Sequence, residues 1–270
     1  MKKKSVMKKS KLALITGASN GIGYELSKIF ARNGYDLILV ARGETKLKET
    51  KEHLAEYNSE ISIYPADLSK YDEIINLKKW VDQNQMKIDV LVLNAGRGLG
   101  GSFINSTDLE EELNLIRLNI DSIVHMSKLF IGDMVDRNEG KVLMTSSISG
   151  IEPIPFEAVY GASKAFVNSF FFALRNEIST TNVRMTLLLP GATETNFFDN
   201  AGQSDTKVGS MDKDDPKEVA ERAYYALDSN HEFVYGSDDA EYEGEVLNRA
   251  LSSSHKAQKH RKISEPGSAE

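Results

Sequence analysis

Leu12-Ala13-Leu14-Ile15-Thr16-Gly17-Ala18-Ser19-Asn20-Gly21-Ile22-Gly23 decides how the rest of the chain is read. Its first five residues form a β-branched and aliphatic run of the kind found in buried strands. The glycines behind it let the backbone turn tightly and approach a ligand. From Ile22 to Asn33, the apolar residues Ile22, Leu26, Ile29 and Phe30 recur at helical spacing, and Gly34 supplies a stop. A strand, a glycine turn and a helix start make a place for a pyrophosphate. Free N–H groups and the positive end of the helix dipole converge there. The spacing is Gly-x-x-x-Gly-x-Gly rather than the commoner Gly-x-Gly-x-x-Gly.

Outward from this stretch, short apolar runs alternate with amphipathic ones. Strands are expected over 37–41, 61–64, 88–93, 141–145 and 183–189, with a last edge strand over 231–235. Helices are expected over 44–57, 71–84, 109–135, 157–179 and 216–228, the last capped by Asp214 or Asp215 with Pro216 in its first turn. Such βαβ alternation predicts an α/β fold of the Rossmann-like, doubly wound kind: one parallel sheet with helices on both faces, in a single domain. Residues 1–10 read as a basic flexible leader, with five lysines in the first nine positions and too short an apolar run behind them for a signal peptide. Residues 11–235 read as the dinucleotide-binding catalytic domain, with a substrate lid over about 195–213. Residues 236–270 read as an extension, partly flexible, whose polar end from Ser252 is expected to be mobile rather than to dock on a neighbouring subunit.

Composition narrows the function. A net charge of −7 argues against nucleic acid as the main partner, and no apolar run is long enough to span a membrane. The chain has no cysteine, which removes disulfides, thiolate metal sites and cysteine nucleophiles and suits a cytoplasmic protein. The five histidines form no i, i+4 pair with a nearby acid, so no metal site is expected.

The end of the second strand bears on the nucleotide. An acid there would hold the ribose 2′-OH of NAD, and an arginine would suit the 2′-phosphate of NADP. Ala41 occupies the expected position of the acid, Arg42 follows, and Lys46 is near. NADP(H) is therefore the preferred cofactor, with NAD(H) possible. Gly96, Gly98 and Gly101 spell the commoner glycine motif, but no helix opens behind them, and they read as a flexible loop beside the site.

Further on stands Tyr160-Gly161-Ala162-Ser163-Lys164, with Ser147 thirteen residues before the tyrosine. On a helix, Tyr160 and Lys164 share a face. A cation beside a phenol favours the phenolate and lowers its pKa, so the pair could move protons. Each residue also has an ordinary reading: a buried tyrosine, an exposed lysine, a strand-end serine at Ser147, a surface asparagine at Asn119.

Taken together, these motifs resemble the short-chain dehydrogenase/reductase family in its single-domain branch, from Lys11 to about Asp228. The glycine loop is Thr16-Gly17-Ala18-Ser19-Asn20-Gly21-Ile22-Gly23, and the family's Asn-Asn-Ala-Gly motif is Leu93-Asn94-Ala95-Gly96, with Leu93 in place of its first asparagine. The resemblance implies that Asp67 and Leu68 meet the adenine. It implies that Pro190, Gly191, Thr193 and Thr195 line the nicotinamide. It also implies that Asn119, Ser147, Tyr160 and Lys164 are catalytic. Tyr160 would be the general acid/base, and Lys164 would lower its pKa and bind the nicotinamide ribose. Ser147 would hold the substrate oxygen, and Asn119 a water for proton relay. The implied reaction interconverts a carbonyl and a secondary alcohol of a small molecule. Alternatives are a 3-oxoacyl-thioester reductase, a hydroxy-acid dehydrogenase, or an NADP-binding regulator without catalysis. Tyr160–Glu177, Leu187–Phe198 and His260–Glu270 are also similar to a bacterial subgroup of oxidoreductases of undefined substrate. Phe166, Phe170, Phe171 and Phe172 circle one helix, more than a core needs, so a homodimer or homotetramer is expected.

Overall fold

A computed structural model describes residues 10–269. All of the expected leader except Ser10 lies outside the described residues. Seven strands form one parallel sheet in the order β3-β2-β1-β4-β5-β6-β7. They are β1 (Leu12–Thr16), β2 (Asp36–Ala41), β3 (Ile61–Pro65), β4 (Val90–Leu93), β5 (Gly140–Thr145), β6 (Val183–Leu189) and β7 (Phe233–Tyr235). Strand order reverses between β1 and β4, where Ala13 pairs with Val90 and Ile15 with Val92. In open α/β sheets the crevice at such a reversal, beyond the strand C-termini, is where ligands bind.

Alternation along the strands divides the core in two. Leu14, Leu91, Val142 and Met185 face one layer of helices. Ala13, Ile15, Val92 and Leu188 face the other. The first layer contains α3 (Tyr71–Gln83), the helical stretch 109–136 and the helix Ala158–Glu177; the second contains α1 (Gly21–Arg32), α2 (Glu44–His53) and the helix Pro216–Asp228. Strand β4, Val90–Leu93, is buried on both faces and is accordingly apolar throughout.

Asp215 caps the Pro216 helix by accepting from the Lys217 N–H at 2.8 Å, which settles the choice between Asp214 and Asp215. The stretch 109–136 is helical throughout but contains two π-helical turns, Arg117–Asp121 and Ser127–Ile131. The first carries Asn119. Such turns add a residue to the helix and re-aim the side chains around it.

The C-terminal segment differs from its expectation. Instead of a mobile tail, Ser253–Ser264 is a helix laid back on its own chain, with His260 and Ser264 buried. The Ser264 hydroxyl donates to the Pro155 carbonyl at 2.8 Å and Lys256 to the Ile151 carbonyl at 3.2 Å. Beyond it, the Gly267 and Ala269 N–H groups reach Asp205. The polar composition that reads as solvated in sequence serves here to satisfy buried partners. Among the described residues, no helix is long and apolar enough to cross a membrane.

Candidate active site

The crevice at the strand reversal opens into a cleft of about 1040 Å³. Thr16, the last residue of β1, is buried next to the cleft-lining Gly17. Its hydroxyl donates to the Val92 carbonyl at 3.1 Å and accepts from the N–H groups of Asn94 and Ala95 at 2.9 and 3.0 Å. Asn94 then bridges β1 to β5, donating to the Thr16 carbonyl and accepting from the Thr145 hydroxyl, both at 3.2 Å. Lys164 Nζ donates to the Thr145 carbonyl at 3.2 Å, and the Ser146 hydroxyl to the Lys164 carbonyl at 3.1 Å. One hydrogen-bonded line therefore joins the glycine loop to the Tyr160 helix.

Of the residues expected to hold the cofactor, Gly17, Ser19, Asn20, Gly21, Ile22, Arg42, Leu68, Asn94, Ala95, Gly96, Tyr160, Lys164, Pro190, Gly191, Thr193 and Thr195 line this cleft. Gly23 and Asp67 do not. Gly23 lies beneath the loop, where a Cβ would stand 2.2 Å from the Gly17 carbonyl oxygen; it allows the close packing of the turn on the helix. Gly17 has φ +68°, and a Cβ there would meet the Asn94 amide at 2.9 Å. The Asp67 carboxylate turns to its own chain, accepting from the Ser69 N–H and hydroxyl at 3.1 and 2.7 Å. Burial pushes Asp67 up, but Ser69, Lys70 and Arg42 outweigh it and leave the carboxyl below its ordinary range. The loop after β3 therefore offers the cleft Ala66 and Leu68, not the Asp67 side chain.

Ser147, Tyr160 and Lys164 all face the cleft and all are buried. Lys164 Nζ sits 5.8 Å from the Tyr160 ring centroid. The expected lowering of the tyrosine pKa is reversed. Burial raises it well above the ordinary phenol value and the Glu157 charge adds to this, while a hydrogen bond with Ser147 works the other way. Burial also brings Lys164 down to about 8. In a medium of low dielectric, the cost of carrying any charge exceeds what a lysine at this distance returns. Ser147 Oγ accepts from the Ser149 N–H and donates to Ser149 Oγ, both at 3.1 Å.

Asn119 is 1% exposed rather than on the surface. It lies behind the cleft wall: Oδ1 accepts from the Arg97 N–H at 3.0 Å, and Nδ2 donates to the Arg97 carbonyl at 2.9 Å and to Ser163 Oγ at 3.1 Å. Ser163 in turn donates to the Tyr160 carbonyl at 2.7 Å. Asn119, within the π turn, thus ties the Gly96–Gly101 loop to the Tyr160 helix.

The expected lid contributes Phe197, Phe198 and Met211 to the cleft, and the Phe197 ring lies 5.3 Å from that of Tyr160. Gln203 and Thr206, within the expected lid, are buried, and the Lys207 N–H donates to Ser268 Oγ at 2.9 Å. The sequence reading missed the far end of the cleft, where Glu152, Glu157, Glu243 and His260 gather. The ligand atoms of Glu152, Glu243 and His260 lie within 4.8 Å of one another. Only Glu157, three residues before Tyr160, left a local trace.

A family model described as short chain dehydrogenase matches residues 11–206. An uncharacterised oxidoreductase of Staphylococcus saprophyticus is 33% identical over 220 residues, covering 80% of this chain and 91% of that protein. A short-chain dehydrogenase from Sphingobium yanoikuyae, solved in complex with NADPH, superposes with a TM-score of 0.80 at 27% identity, over 89% of this chain and 93% of that one. An alcohol dehydrogenase from Thermococcus sibiricus, complexed with 5-hydroxy-NADP, gives 0.74 at 28% identity, over 84% and 96%. The strand order, the glycine turn at the reversal and these likenesses lead to one assignment: the chain belongs to the short-chain dehydrogenase/reductase family of oxidoreductases.

Proposed function

We propose that this protein is an NADP(H)-dependent oxidoreductase that interconverts a carbonyl and a secondary alcohol on a small molecule. The observation that carries this reading is that Ser147, Tyr160 and Lys164 share one cleft with the glycine loop and with Arg42. The residues suit a dinucleotide. The Asn20 side chain does not cap α1 and no acid stands in its first turn, which leaves that end to an anion. Arg42 and Lys46 line the cleft at the end of β2, suited to a 2′-phosphate. A bound nicotinamide dinucleotide would supply the hydride.

The rest falls to the protein's own side chains. At neutral pH Tyr160 holds its proton, because burial opposes the phenolate. Tyr160 is thus a proton donor to a carbonyl oxygen; in the reverse direction its own proton first passes to neutral Lys164, and the phenolate then takes the proton of the alcohol. Ser147 holds the same oxygen and stabilises charge on it. Lys164, with a pKa near 8, changes protonation readily and can return the proton to Tyr160. Asn119 positions the Tyr160 helix through Ser163. Phe166 and Phe172 stay partly exposed on that helix, which supports a homo-oligomer, and the cysteine-free composition supports a cytoplasmic setting.

The test is a panel of aldehydes, ketones and alcohols read by NADPH absorbance, beside titrations of NADPH and NADH. Turnover on a subset of carbonyls and tighter binding of NADPH are expected. Tighter binding of NADH would contradict the role given to Arg42, and an enzyme inert on the whole panel would contradict the reaction.

A further inference from the structure

The far end of the cleft is walled by polar side chains from three distant parts of the chain. Glu152 comes from the loop after β5, Glu243 from the helical stretch 238–250 after β7, and His260 from the C-terminal helix. His260 Nε2 lies 2.7 Å from Glu152 Oε2 and 3.8 Å from Glu243 Oε1. Lys259 takes the Glu243 carboxylate as well. These contacts leave a specific surplus. The Glu152 side chain is fully buried, and among the described residues its Oε1 meets no donor; its Oε2 has the His260 ring beside it without hydrogen-bond alignment. An ionised carboxylate can accept about four hydrogen bonds, and a buried polar atom without a partner is costly. Glu152 nonetheless lines the same cleft as Tyr160.

Glu157, also at this end, adds a third carboxyl, which burial pushes above the ordinary range, toward its neutral form, against the opposing pull of Gln203 and His260. Glu152 and Glu243, with Glu157 beside them, make this end receptive to hydrogen-bond donors. A substrate carboxylate reaching it would meet the Glu152 and Glu243 carboxyls.

We propose that the substrate carries, at a distance from its reacting carbon, a hydrogen-bond-donating group, hydroxyl or ammonium, which Glu152 receives at the far end of the cleft with His260 beside it. This rests on the carbonyl/alcohol reading above and narrows it, against a hydroxy-acid substrate in particular. Glu152 is a specificity residue here, separate from the proton-transfer machinery.

Matched pairs test it. A series of ω-hydroxyalkan-2-ones of four to eight carbons is compared with the unsubstituted alkan-2-ones, and ω-aminoalkan-2-ols with the plain alkan-2-ols. At its best length, the donor-bearing member is expected to exceed its partner by at least about ten-fold in kcat/KM, carried mainly by KM, because a site built for a donor rejects the analogue lacking it. Glu152→Leu is expected to bring that ratio to about one while leaving turnover of the unsubstituted ketone in place. Glu152→Gln separates the two donors: it retains preference for hydroxyl and loses it for ammonium. A wild type that favours the unsubstituted member at every length overturns the proposal, as does a Glu152→Leu variant that lowers both members equally. If none of these compounds turns over, the reaction itself is misread. Binding of the same pairs to the NADPH-loaded protein, by calorimetry, then decides the donor question, and equal affinities overturn it. Retention of a divalent metal by the purified protein, lost in Glu152→Gln, also overturns it, by giving the free oxygen a different ligand.

Discussion

Tyr160 and Lys164 show how burial can reverse a charge argument. From sequence, a lysine one turn away lowers the phenol's pKa; in the folded chain both groups are driven toward their neutral forms. The consequence for stability has a definite sign. Lys164 titrates at about 8 folded and 10.5 unfolded. Below about 8 both states carry the charge, and folding must bury it. Between the two values the unfolded chain binds a proton that the folded chain does not, so stability from this group rises with pH. Denaturant unfolding of wild type and Lys164→Met across this range should show the wild type gaining on the variant from pH 8 upward; a constant difference contradicts it. Arg42 makes a second residue-level prediction. Arg42→Asp should move the ratio of NADPH to NADH affinity by about a hundred-fold toward NADH, since it removes the 2′-phosphate's partner and supplies one for a hydroxyl. Affinity titration reads this directly, and an unchanged ratio would show that Lys46 or the loop sets the preference.

The element most altered by the structure is the C-terminal helix Ser253–Ser264. Its sequence is charged and lacks a broad apolar face, so periodicity offered no sign that it packs. It packs through His260, buried between Glu152 and Glu243, more than a hundred residues from the first. Such a pairing has no local signature, and the same holds for the acidic end of the cleft as a whole. The elements that sequence did reveal, β1 with its glycine turn and the Tyr160 helix, carry their information in short-range spacing. Asn119 falls between these cases: its motif is local, but the π turn that buries it is not. Removing the imidazole should be costly. His260→Ala leaves the buried Glu152 carboxyl without its neighbour, with an expected loss of about 1–3 kcal/mol in unfolding free energy. Adding Glu152→Gln to it should recover a good part of that loss. If the two losses simply add, the helix is held by its other contacts.

For the whole molecule, the strand reversal between β1 and β4 organises both fold and site, because it opens the crevice on the line of hydrogen bonds from Thr16 to Lys164. Its outer surface bears on assembly. Phe166 stacks on Phe170 with ring centroids 5.8 Å apart, and Phe166 and Phe172 are 38% and 40% exposed. Aromatic surface of this kind on a long helix suits burial against a second copy. Phe166→Glu should reduce the sedimentation coefficient of the wild-type assembly without changing its circular dichroism. A wild type that already sediments as a monomer contradicts the assembly. The central claim remains that Tyr160 exchanges one proton with the substrate oxygen for each hydride moved. The measurement that tests it most directly is turnover of Tyr160→Phe with NADPH and a carbonyl accepted by the wild type, beside NADPH affinity. The predicted result is a fall in kcat of about 10²–10⁴-fold with affinity for NADPH nearly unchanged; turnover at the wild-type rate would contradict the account.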